Sequence, residues 1–320
     1  MSNKKKRPRG SSSTYRAPAK SAAPPRRGLL DGIFAPRTPG ASPLPKLRST
    51  LARGTATALS VPALLVSIPV VVLVVWVALV MLGFLGPFKT MAFVYAIPPM
   101  TTVIHQQIVP NAFRSGLNST GAALALPGLL GAAGVILFHA LIDAVVTTVA
   151  VEQLRTGSVS KWAIRRVPHV LKTTSVVGTV SLGLFIAGWI FLQLLGSIGF
   201  FAFLGVLVLG VYILGFAPAI AADEDRRLTD VLVRSVRVAR MPGSGNLWLA
   251  LAYVFACAIV LVIPLPGSLL GVTPSIGAWI GVICFNVVHV IMQSTLAYRY
   301  LVVAPEVPEQ PVRQAPARRR

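Results

Sequence analysis

The chain has 320 residues, 54% of them apolar and only 12% charged, with a mean hydropathy of +0.73. A soluble domain carries about 25% charged residues, so the composition excludes an ordinary globular domain and points to the membrane class. The formal net charge of +21 invites a nucleic-acid reading, but 13 of the 30 Lys and Arg lie in residues 1–56 and most others in short connections between apolar runs, as the positive-inside rule requires of an inner-membrane protein.

Residues 1–56 contain eight Pro and seven Ser and include the run Lys4-Lys5-Lys6-Arg7-Pro8-Arg9. Such a segment has too little apolar surface to offset its chain entropy, so it is predicted to be a disordered cytoplasmic tail. Leu29, Leu30, Ile33 and Phe34 form a small apolar patch near its end, suited to a membrane surface. The first apolar run begins near Thr57, too far from the start for a cleaved signal peptide.

A bilayer core needs about 20 apolar residues in a helix. Runs that meet this length predict transmembrane spans at about 57–84, 123–151, 174–195, 200–221, 246–263 and 275–303. Gly196-Ser197-Ile198-Gly199 predicts a tight turn between the third and fourth. The apolar stretch 91–104 contains Pro98-Pro99 and is too short to span; it is expected to be an interfacial or re-entrant part of the loop 86–121. Residues 304–320 form a basic C-terminal cytoplasmic tail.

Charge placement sets the orientation. With the N-terminal tail inside, the inner segments 1–56, 152–173, 222–245 and 299–320 hold 28 Lys and Arg, whereas the outer segments hold only Lys89 and Arg114. The fold class expected is therefore all-α: an integral membrane bundle of about six transmembrane helices with both termini in the cytoplasm. Two inner connections read as amphipathic helices on the cytoplasmic surface. In one, Val159, Ala163, Val167, Val170 and Leu171 recur at helical spacing; in the other, Leu228, Val231, Leu232, Ser235, Val236 and Ala239 do so. At an offset of 72 residues Glu152 matches Glu224, Arg155 matches Arg227, Val159 matches Val231 and Arg165 matches Arg237, a weak internal repeat. Arg155, Lys161, Arg165, Arg166, Arg227, Arg234 and Arg237 are expected to contact anionic lipid head groups. Asp223, Glu224 and Asp225 are expected to form a solvated interfacial cluster.

Asp143 is the sole acidic residue inside a predicted span. A charged Asp at mid-helix costs roughly 2.5–3.5 kcal/mol to insert, so it should face the bundle interior or be protonated. His139 and Thr147 lie four residues before and after it, on the same helix face. Asn286, His289 and Gln293 form a second polar stripe on the sixth span. If the two stripes face each other they form a polar cluster, either a proton relay or substrate site, or a set of interhelical hydrogen bonds that lock packing. The zinc-protease, nucleophile-elbow and phosphate-loop motifs are absent from the sequence. Cys257 and Cys284 fall in apolar runs without metal spacing. No metal or cofactor is expected. The basic tail holds only Tyr15 and Phe34 as aromatics, so no specific nucleic-acid binding is expected.

Twice, an inward helix is followed by a basic amphipathic segment and an outward helix, at 150–157 with the stretch after it and at 223–240. Over about residues 120–303 this layout resembles bacterial membrane domains, some of them fused to glycerophosphodiester phosphodiesterases. The resemblance implies a membrane fold but no such activity, because no phosphodiesterase domain is present. The reading that results is a non-enzymatic inner-membrane scaffold or accessory subunit, with membrane lipids and a protein partner or second copy as its contacts. The alternative is a small permease built on the Asp/His site.

Overall fold

In a computed structural model of the protein, residues 44–81, 93–95, 103–105, 122–241, 245–262 and 274–306 are described. They form eight helices: α1 (Leu47–Ser60), α2 (Pro62–Met81), α3 (Ala122–Thr156), α4 (Lys161–Leu214), α5 (Ala217–Asp223), α6 (Leu228–Ala239), α7 (Asn246–Val262) and α8 (Pro274–Val303). A two-stranded antiparallel hairpin, β1 (Phe93–Tyr95) and β2 (Val103–His105), pairs Val94 with Ile104 inside the apolar stretch between the first two predicted spans.

Among the described residues two segments are long and apolar enough to cross a membrane, Leu137–Thr156 and Leu194–Asp223, and the bent pair α1–α2 makes a third if taken as one. Asn246–Cys257 is a shorter apolar helix. All eight helices contribute side chains to the buried core, and α5 is buried from Ala217 to Ala222.

The helix boundaries correct the sequence reading at three places. The tail expected to be disordered through residue 56 instead ends in α1, whose Thr50, Gly54 and Ala58 are buried on one face. That face is small enough for a close helix approach: a Cβ added at Gly54 would stand 2.5 Å from the Thr295 Cα on α8. The first span was expected to run unbroken from residue 57, but the chain turns by 78° between α1 and α2. Pro62 lacks an amide hydrogen and disfavours helical geometry at the residue before it, so α1 stops and Pro62 opens α2.

The third correction concerns α4. The expected surface helix after residue 158 and the expected span 174–195 are one continuous helix. Nothing between Val170 and Val177 breaks it, and the Thr174 hydroxyl donates across to the Ala140 carbonyl of α3 at 2.8 Å, the shortest of its three acceptor contacts. The break expected at 196–199 is present but narrower: it falls on Gly196 alone, whose φ of 55° and ψ of −126° are non-helical and divide α4 into two helical arms. Of the two amphipathic segments, α6 is the separate helix.

Local chemistry closes the ends. Gly157, with φ 74°, terminates α3, and its amide bonds the Gln153 carbonyl. Glu152 then accepts from the Ser160 amide, 3.2 Å away, and from the Ser160 hydroxyl at the start of α4. The Asn246 side chain donates to the Val238 carbonyl at 2.8 Å, supplying a partner to the last turn of α6.

Candidate functional site

The predicted polar stripes meet. Asp143 on α3 and His289 on α8 are 3% and 0% exposed, and His289 Nε2 lies 2.7 Å from Asp143 Oδ1. The other ring nitrogen, Nδ1, lies 2.6 Å from the hydroxyl of Tyr253 on α7, which is also fully buried. A carboxylate can only accept, so an ionised Asp143 puts the proton on Nε2. The neutral imidazole then accepts from the Tyr253 O–H at Nδ1. Three helices are thus joined through one side chain. Gln293, one turn after His289, hydrogen-bonds the Tyr253 hydroxyl. Phe285, one turn before, lies nearly parallel to the imidazole at 6.4 Å between centroids.

The other predicted site residues take different places. His139 is buried one turn before Asp143, with its ring edge-on to Phe138 at 5.2 Å. Asn286 is buried on α8. Thr147 is buried, and its hydroxyl has no hydrogen-bond partner among the described residues. Tyr253 is the member that sequence reasoning missed. The signal was present: a Tyr amid an apolar helix carries a hydroxyl that needs a partner. Among the described residues no group of three His, Cys, Asp or Glu side chains could hold a metal ion. Cys257 and Cys284 are free thiols.

A second polar cluster gathers where α5 ends. Arg155 from the end of α3 forms a two-point contact with the Asp223 carboxylate, one bond at 2.6 Å. Arg234 of α6 lies 2.8 Å from Glu224, and Arg226 pairs with the same carboxylate. The Tyr300 hydroxyl of α8 donates to Glu224 at 2.5 Å. Arg166 reaches the Asp223 carbonyl at 3.4 Å.

This overturns part of the expected surface. Asp223 and Glu224 are largely withdrawn from solvent, because they follow the buried stretch 217–222 of α5 and are held by Arg155, Arg226, Arg234 and Tyr300; Asp225 is 91% exposed, with His169 Nε2 4.0 Å away. Arg234, expected on the lipid surface, is buried because it falls on the inner face of α6 beside Val231, Ser235 and Val238. Arg155, itself exposed, and Arg166 are tied to Asp223, and Lys161, Arg165, Arg227 and Arg237 are exposed.

The third cluster centres on Arg299 of α8, 3% exposed. Its guanidinium donates to Asn246 Oδ1 at 3.0 Å and to the Pro45 carbonyl at 2.7 Å, and reaches the Thr50 hydroxyl at 3.5 Å. It therefore ties the start of α1 to α7 and α8. No family model matches the chain, and neither a curated protein nor a solved structure does.

Proposed function

We propose that this chain is a non-enzymatic, multi-pass protein of the cytoplasmic membrane that serves as a scaffold or accessory subunit. Its six spans are α2, α3, the two arms of α4 on either side of Gly196 (the second continued by α5), α7 and α8. The tails and the basic connections lie on the cytoplasmic side, as the division of 28 basic residues against two supports.

The observation that carries the scaffold reading is the closure of the polar interior. Asp143, His289 and Tyr253 are buried and bonded to one another. In lipid, such contacts hold helices together, each with a worth of about 0.6–2 kcal/mol. A scaffold of this kind copurifies with a partner. Crosslinking in native membranes, followed by mild-detergent purification and protein identification, should return a stable partner or a second copy. Recovery of the chain alone and monomeric would overturn the reading.

A second reading has one observation in its favour: two titratable groups, Asp143 and His289, share a proton path to Tyr253 at membrane depth. On this reading the protein is a small proton-linked permease. Asp143→Asn should then abolish transport of any solute that the reconstituted protein carries, while the variant stays folded. Continued proton-dependent transport by that variant excludes the relay.

A further inference from the structure

We propose that α1 is an in-plane docking helix for anionic phospholipid head groups, a role that rests on reading α2 as a membrane span. The two helices meet at 78°. When α2 runs close to the membrane normal, α1 therefore lies nearly in the membrane plane. Its depth is set by α8. Gly54 packs on Thr295, and Arg299 holds the Pro45 carbonyl, so α1 sits at the end of α8 that also carries Tyr300 and the acidic cluster. That is the basic end of the molecule.

The two faces of α1 divide by chemistry. Thr50, Gly54 and Ala58 are buried, whereas Lys46, Arg48 and Arg53 are exposed, and Leu59, at the α2 end, is 61% exposed. The three cations differ from Arg155, Arg226 and Arg234, each of which has a carboxylate partner. No acidic residue occurs anywhere from residue 32 to residue 142, and among the described residues none of the three forms an ion pair. Unneutralised cations on a helix in the membrane plane, with a Leu at the lipid side, match a surface of negative head groups. Each basic residue near such a surface favours anionic over neutral lipid roughly fivefold.

The test uses the full chain with Cys257→Ala and Cys284→Ala, reconstituted in phosphatidylcholine vesicles with or without phosphatidylglycerol. Nitroxide labels at Ala52→Cys and Ala56→Cys report collision with oxygen, which partitions into lipid, and with an aqueous nickel complex. Phosphatidylglycerol should shift both labels toward lipid, and the combined Lys46→Gln, Arg48→Gln, Arg53→Gln variant should lose most of that shift. Labels equally aqueous in both lipids, or a shift that survives the triple variant, overturn the docking role. Flotation separates this from failure of the span reading. A chain that does not float with vesicles, or is stripped from them by alkaline carbonate, refutes the membrane span itself. A chain that stays in vesicles with aqueous labels refutes only the role of α1.

Discussion

His289 is held from both sides, since each ring nitrogen has a partner within 2.7 Å and no part of the ring meets solvent. Removal of one partner leaves a buried polar group unsatisfied, which costs about 1–3 kcal/mol. Tyr253→Phe should therefore destabilise the protein by that amount in a detergent thermal-unfolding assay. Asp143→Leu should cost at least as much, because an imidazole N–H is stranded. The double variant Asp143→Leu, His289→Leu should recover part of the loss, giving a coupling energy of about 0.5–3 kcal/mol between the two positions. Strictly additive losses would refute the coupling. The sequence showed that a mid-span carboxylate favours the bundle interior and named His289 on the facing stripe, but only the structure joins the two. The partnership of Arg234 with Glu224 was not legible there: periodicity set Arg234 with the basic residues opposite the apolar stripe, whereas its side chain is buried against the carboxylate that follows α5.

Among the elements, α1 was hidden by composition. Pro, Ser and basic residues dominate the first 56 positions, and window averages hide a stripe of small residues about two turns long. Thr50, Gly54 and Ala58 recur every fourth residue, a spacing that lets a helix approach closely, but the partner position, Thr295, lies over 200 residues away. The structure makes Gly54 the critical position of this contact. Gly54→Leu should push α1 off α8, at a cost of about 1–3 kcal/mol for the overpacked interface, and tryptic cleavage at Arg48 and Arg53 should accelerate. Ala52→Leu, on the exposed face, should leave cleavage unchanged. Equal cleavage of the two variants would refute the contact. Arg299→Lys should accelerate cleavage as well, because a single ammonium cannot reproduce the fork that reaches Asn246 and Pro45 together. The α4 boundary was missed for the opposite reason. A change from amphipathic to uniformly apolar pattern near residue 173 resembles an element boundary, yet a helix has no reason to stop where only its surroundings change.

For the molecule as a whole, what hydropathy and charge made legible was the helical, membrane-suited class; the count of spans rests on orientation. Three connections test it directly, each with a residue that the structure leaves exposed: Ser158 after α3, Ser197 at the α4 kink and Asp225 after α5. The proposed span order puts Ser158 and Asp225 on the side of the basic tails and Ser197 opposite. Single cysteines at these positions, in the Cys257→Ala, Cys284→Ala background, should therefore divide when intact cells are treated with a membrane-impermeant thiol reagent. Ser197→Cys should label from outside. Ser158→Cys and Asp225→Cys should label only after the membrane is opened. Uniform protection would mean that α4 does not reach the outer face and that its kink lies within the bilayer or inside the cell. Labelling of Ser158→Cys from outside would invert the chain against its charge distribution, placing most of its basic residues beyond the membrane, where no inward bias would hold them.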